Sequence, residues 1–130
     1  MARIEKSIEI DRSPDNVWAV VGDVGAISTW LPAIGESSFS DGVRECTMEG
    51  GGVLREQISN RDDANRRYEY EITEGPMPLD HHHAWMSVDE ADAGSRVTWI
   101  TEIAPDDMAT AMEPVFEEGM QALKAHLEGS

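Results

Sequence analysis

Cysteine is almost missing: Cys46 stands alone, so no intrachain disulfide can form and the fold must rest on its core. Basic residues are scarce as well. Ten Lys and Arg stand against 26 Asp and Glu, a formal charge of −16, and the acidic residues are spread along the chain rather than gathered in a tail. A surface of that sign repels phosphate, which argues against nucleic acid and against anionic membranes as partners. Long apolar runs are absent too; no stretch approaches the roughly 20 residues of a membrane-spanning helix. The opening Met1-Ala-Arg-Ile-Glu-Lys is charged with no apolar run behind it, unlike a secretory leader, so the expectation is a cytoplasmic protein without membrane insertion. What is present suits a globular fold. Hydrophobic residues make up 40% and eleven glycines bring the apolar total to the usual level, which excludes disorder. A length of 130 residues favours a single domain over the whole chain.

The hydrophobic pattern changes period twice. Arg3 to Ile10 alternates as a strand, with Ile4, Ile8 and Ile10 on one face, and Lys6 interrupts that face. Ser13 and Pro14 then form an N-cap and a first helical residue, and Asp15 suits the positive end of the helix dipole. Val17, Trp18, Val20 and Val21 are the stripe of a short helix stopped by Gly22. A second short helix is expected from Asp23 to about Trp30, closed by Leu31-Pro32. From Ile34 the period becomes two, and glycine-containing turns divide it into strands at about 34–40, 43–49, 53–61, 66–74, 80–89 and 95–104. The links are too short for crossover helices, so the strands must be antiparallel. Last, Ala109, Met112, Phe116, Met120, Leu123 and Leu127 recur at intervals of three and four along one long helix, which Pro114 is expected to kink or split. The result is an α+β chain: seven antiparallel strands, two short helices after the first, and one long C-terminal helix. A sheet of that size curved around one helix leaves space between them, where small molecules tend to bind.

Four stretches carry a family likeness: Ile8-Glu-Ile-Asp-Arg-Ser-Pro-Asp-Asn-Val-Trp18; Trp30-Leu-Pro; Gly51-Gly-Val-Leu-Arg-Glu56 with Arg67-Tyr-Glu-Tyr-Glu-Ile-Thr-Glu-Gly-Pro76; and Gly94-Ser-Arg-Val-Thr-Trp99. Together they resemble the START/polyketide cyclase/Bet-v-1-like (SRPBCC) superfamily over nearly the whole chain, most of all its small bacterial polyketide cyclase/dehydrase branch. The resemblance implies the helix-grip fold. Its members include aromatic polyketide cyclases and carriers of lipids and hormones, and no universal catalytic residue passes to this chain.

Strand parity then selects the residues facing the hollow. Tyr68, Tyr70 and Ile72 face inward, as do Trp99 and Thr101, and the apolar choice for 53–61 brings Glu56 inside with Leu54 and Ile58. A buried carboxylate must be paired, hydrogen-bonded or protonated, so Glu56 is either satisfied by a structural arginine, half-exposed near a strand end, or a working group of the site. On 80–89 the set His82, Ala84, Met86 and Val88 is the more apolar, and the resemblance favours it because relatives often carry an aromatic residue at the place of His82. His82 then suits either proton transfer or plain hydrogen bonding. On 43–49, Arg44, Cys46 and Met48 go inward; Arg44 either pairs with Glu56 or holds a ligand oxygen, and Cys46 reads as a small buried hydrophobe.

The expected reading is a binder of a small hydrophobic or aromatic molecule. Its pocket contains Trp30, Tyr68, Tyr70, Met86, Trp99, Thr101, Met112 and Phe116, with Arg44, Glu56 and His82 at the polar end. The alternative is a cofactor-independent cyclase or dehydratase, in which His82 or Glu56 removes a proton alpha to a carbonyl while Arg44 and a tyrosine hydroxyl stabilise the enolate. Neither reading requires a cofactor. A metal is not expected either, because His81 and His83 share a face without a third ligand marked by the sequence. Trp85 and Ile100 face outward, which leaves both monomer and homodimer open, and the acidic helix face of Glu113, Glu117 and Glu118 is a third, weaker candidate as an interaction surface.

Overall fold

The structure is a computed structural model and describes residues 1–129. The chain opens with β1 (Ala2–Ile10), followed by helix α1 (Pro14–Val21) and a 3-10 helix over Val24–Thr29. Six strands follow: β2 (Ile34–Ser40), β3 (Val43–Met48), β4 (Val53–Asp62), β5 (Arg67–Glu74), β6 (His81–Ala91) and β7 (Gly94–Ala104). Helix α2 (Asp106–Glu128) closes the chain. Local chemistry explains the helix starts. The Ser13 side chain accepts from the Asn16 N–H at 3.2 Å, Pro14 occupies a position that needs no N–H, and Asp106 and Asp107 face the positive end of α2.

All seven strands join one antiparallel sheet in the order β1-β7-β6-β5-β4-β3-β2, so the first strand pairs with the last and β2 lies at the opposite edge. The β6–β7 hairpin turns at Gly94, whose φ of +132° and whose missing Cβ, which would lie 2.7 Å from the Arg12 carbonyl oxygen, both demand glycine. Register shifts between Ile34 and Glu36, between Arg55 and Glu56, and between Ser59 and Asp62 bend the β2–β5 half of the sheet. The curved inner face grips α2, the helix-grip arrangement. The helix packs on β1 and β7, while α1 packs on β6 and β7.

Most strand residues expected inward are buried: Arg44 and Cys46, Leu54, Glu56 and Ile58, Tyr68 and Tyr70, His82 to Val88 on alternate residues, and Val97, Trp99, Thr101 and Ile103; Ile8, Met48 and Ile72 are half-buried against them. Lys6 breaks the inner face of β1 for a reason the strand alone does not show: its ammonium reaches Glu113 (3.0 Å) and Glu117 (3.6 Å) on α2. Two carboxylates of the acidic helix face are thus spent within the fold. Helix α2 runs as one element through Pro114, so of the two expected outcomes, a kink or a split, the split does not occur. Pro114 lies on the exposed side, where the carbonyl left without an N–H partner can be solvated.

Candidate functional site

Between the bent half of the sheet and the first half of α2 lies a cavity of about 300 Å³. Larger depressions beside α1 and on the outer sheet face are open, more polar surface grooves. The inner wall of the cavity is Cys46, Leu54, Glu56, Tyr70, Ile72, His82 and Trp99 from the strands; α2 supplies Met108, Ala111, Met112, Val115 and Phe116, and the 3-10 segment and its exit supply Ile27, Leu31, Ala33 and Ile34. Met48 and Met77 complete the lining. Trp99 organises the aromatic floor. Its ring stacks on Phe116 (centroids 3.9 Å, 10° between planes), and its Nε1 donates to the Tyr70 hydroxyl oxygen at 2.9 Å.

The polar end is a buried ion pair. Arg44 Nε donates to Glu56 Oε1 at 2.7 Å, and its Nη1 donates to the Val24 carbonyl and to the Tyr68 hydroxyl, both at 3.3 Å. The guanidinium also lies over the Tyr70 ring, 4.9 Å from its centroid. Burial opposes the charge on Arg44, but Tyr68, Glu56 and Tyr70 outweigh it and hold the group cationic. Cys46 Sγ donates to the same Glu56 oxygen at 3.6 Å; burial first, then the Glu56 charge, pushes its pKa up to about 12, so it is a thiol and not a nucleophile.

His82 is held differently. The backbone ladder between β5 and β6 runs from Arg67↔Ser87 to Tyr70↔Ala84 and stops there. Beyond that point the Ile72 N–H donates to His82 Nδ1 at 3.0 Å. Burial, helped by the neighbouring His83 and His81, pulls the His82 pKa down to about 4, so the ring is neutral near pH 7. A neutral imidazole that accepts at Nδ1 carries its proton on Nε2. His83, on the opposite face, is clamped between Glu69 (2.7 Å) and Glu71 (2.9 Å); burial lowers its pKa, but the two carboxylates raise it by more.

Of the residues expected from the sequence, the cavity brings together Glu56, Tyr70, His82, Trp99, Met112 and Phe116. Five others require correction. Arg44 is buried behind Glu56 and Tyr70 and does not line the cavity. Trp30 packs edge-on behind Trp99 (6.2 Å, 74°), and Tyr68 lies between Trp18 and Tyr70. Met86 and Thr101 are fully buried outside the lining, because the helices close directly over their part of the sheet. The lining also includes Ile27, Leu31, Ala33 and Met77, from segments with no strand parity to follow, and Ile34, Ala111 and Val115, which the sequence pattern does not single out. Among the described residues no group of three His, Cys, Asp or Glu is placed to hold a metal ion. Trp85 and Ile100 are cross-strand neighbours, half-buried on the outer face.

Two outcomes test this electrostatic arrangement. Arg44→Met alone strands a buried carboxylate and should cost about 3–5 kcal/mol in denaturant unfolding, as removing one partner of a buried pair typically does. The double variant Arg44→Met/Glu56→Leu should lose far less than the two single losses added together; simple additivity would contradict the coupling. For His82, the folded pKa of about 4 lies below the unfolded value near 6.5, so the unfolded chain takes up the proton first as pH falls. Stability should therefore drop between about pH 6.5 and 4, by roughly 3 kcal/mol from this group. His82→Gln should flatten that window, whereas His83→Gln should lose stability that the wild type holds below its raised pKa.

The family described as "Polyketide cyclase / dehydrase and lipid transport" matches residues 1–128. No curated protein matches the sequence. Solved structures do. The protein XoxI from Bacillus cereus superposes with a TM-score of 0.92 at 26% identity, covering 98% of this chain and 96% of that one. A START superfamily protein from Mycobacterium smegmatis shares the fold at a TM-score of 0.78 and 17% identity, over 98% and 97% of the two chains. The Zhui aromatase/cyclase from Streptomyces sp. R1128 does so at 0.81 and 15%, over 98% and 93%. With its fold, its cavity and a match across almost every residue, the chain belongs to the polyketide cyclase/dehydrase and lipid transport family.

Proposed function

We propose that the protein binds a small hydrophobic or aromatic molecule in the cavity between the sheet and α2. One observation carries this reading: of the eighteen residues lining the cavity, only Glu56 and His82 are charged or strongly polar. Its volume of about 300 Å³ is at the small end of ligand pockets, which run from roughly 300 to 1,000 Å³. Tyr70, Trp99 and Phe116 offer flat aromatic faces, and Met48, Met77, Met108 and Met112 give an adaptable wall. Apolar area removed from water drives such binding, and the two polar groups orient what enters. Family membership and a fold shared with a START superfamily protein point the same way.

A cyclase or dehydratase of the general acid–base kind would use the same two polar groups, and the Zhui neighbour is an aromatase/cyclase. The geometry favours binding over that chemistry. Glu56 already accepts from Arg44 and Cys46, and His82 spends its lone pair on the Ile72 N–H. His82 is therefore not the unengaged base that proton abstraction requires, and Glu56 is tied through Oε1 to its arginine.

Titration calorimetry with 2-acetylnaphthalene tests the reading. Binding at a single site is expected, weakened at least tenfold by Met112→Trp, which fills part of the cavity with an indole; that loss equals about 1.4 kcal/mol. An unchanged affinity in Met112→Trp would move the ligand out of this cavity. Turnover of a poly-β-ketone by the wild type that vanishes in His82→Ala and Glu56→Gln would replace binding by catalysis.

A further inference from the structure

Two of the residues lining the cavity carry a hydrogen-bond donor with nothing to donate to. His82 Nε2 is buried and has no partner among the described residues, although the ring itself is almost wholly buried, at 6% exposure. Its other nitrogen faces the β5 backbone, where Ile72 N–H fixes it as the acceptor, so the proton resides on Nε2. Tyr70 presents the second donor. Its oxygen accepts from Trp99 Nε1, and among the described residues its own proton has no acceptor. Burial, reinforced by the Glu56 charge, keeps this phenol protonated. The two rings are neighbours, 5.5 Å between centroids, and both line the cavity.

A buried N–H without a partner loses its water and gains nothing in return. Phenylalanine at position 82 would avoid that loss and still fill the space. The backbone need for an acceptor explains Nδ1 but leaves Nε2 without a role inside the protein. We propose that His82 Nε2–H and Tyr70 O–H together form a two-donor clamp for one acceptor oxygen of the ligand, so that the cavity selects neutral aromatic ketones or quinones over hydrocarbons and carboxylates of the same shape. Two neutral donors suit an oxygen that has lone pairs and no proton to give. The Glu56 carboxylate in the same lining opposes a ligand anion. The clamp rests on the binding reading above and adds the chemical class to it.

Matched probes separate the clamp from the cavity. 2-Acetylnaphthalene and 2-ethylnaphthalene differ chiefly in the carbonyl oxygen. The ketone is expected to bind the wild-type protein about tenfold more tightly than the hydrocarbon, the order expected of a hydrogen bond whose loss leaves a buried donor unpaired. Its C=O stretch should move to lower frequency on binding, and 2-naphthoate should bind more weakly than the ketone. In His82→Phe both the preference and the frequency shift should shrink; Tyr70→Phe should remove part of each, and His82→Gln, which restores an N–H donor, should recover part of the shift. Nitrogen-15 spectra of the unliganded protein should show His82 protonated at Nε2 and bare at Nδ1. Equal affinities for the two probes with an unshifted carbonyl would overturn the clamp and leave the cavity reading standing. Failure of both probes to bind would overturn the clamp and the cavity reading together, and a His82 protonated at Nδ1 would overturn the clamp whatever the affinities.

Discussion

A single helix cannot cover a seven-stranded sheet, and this mismatch of area governs the molecule. Helix α2 seals the β1–β7 side, where its apolar stripe of Phe116, Met120, Leu123 and Leu127 is buried. On the opposite side the register shifts of β2, β4 and β5 bend the sheet toward the helix without closing the gap. Gly119 marks how near the two surfaces come, since a Cβ there would lie 2.6 Å from Leu31 Cδ1 and 3.4 Å from the Trp99 ring. One turn or two toward the N-terminus the contact opens into the cavity. Burial of the remaining apolar residues holds the fold, and the unfilled space is what the packing leaves over.

Polar groups inside that space have divided loyalties. Arg44 and Glu56 satisfy each other, and the guanidinium ties β3 to Val24 at the start of the 3-10 helix and to Tyr68 on β5. Such a pair contributes little net stability compared with apolar residues of the same shape, because both charges surrender their hydration. What it contributes here is placement: it presses Glu56 against the cavity wall and supports Tyr70 from behind through the cation over its ring. His82 performs a comparable service where β5 and β6 part, giving the Ile72 N–H an acceptor that the strand ladder no longer supplies. Structural and ligand-facing duties thus fall on different atoms of the same side chains.

The architecture was legible in the sequence because each of its devices is local. Period-two alternation identifies the strands and their inner faces, Ser13-Pro14 begins α1, and the spacing from Ala109 to Leu127 makes the last helix. Lys6 was legible only as an anomaly, since its partners Glu113 and Glu117 lie more than a hundred residues away in the chain. The site was half legible. Parity says which face a residue takes but not how far along the bent strand the helix lifts away, so it groups Tyr68, Met86 and Thr101 with Tyr70, Trp99 and His82, although only the last three line the cavity. Arg44 illustrates the same limit: inward is not the same as exposed to the hollow. The tautomer of His82 could not be read at all, for it depends on where one ladder ends.

The methionines measure the central claim most directly, that the hollow takes up an apolar molecule. Of the seven, Met48, Met77, Met108 and Met112 line the cavity, while Met1, Met86 and Met120 do not. In a protein labelled with carbon-13 at the methionine methyl groups, adding 2-acetylnaphthalene should shift the four lining resonances and leave the other three in place. Shifts confined to Met1, Met86 or Met120, or no shifts at saturating probe, would contradict the account.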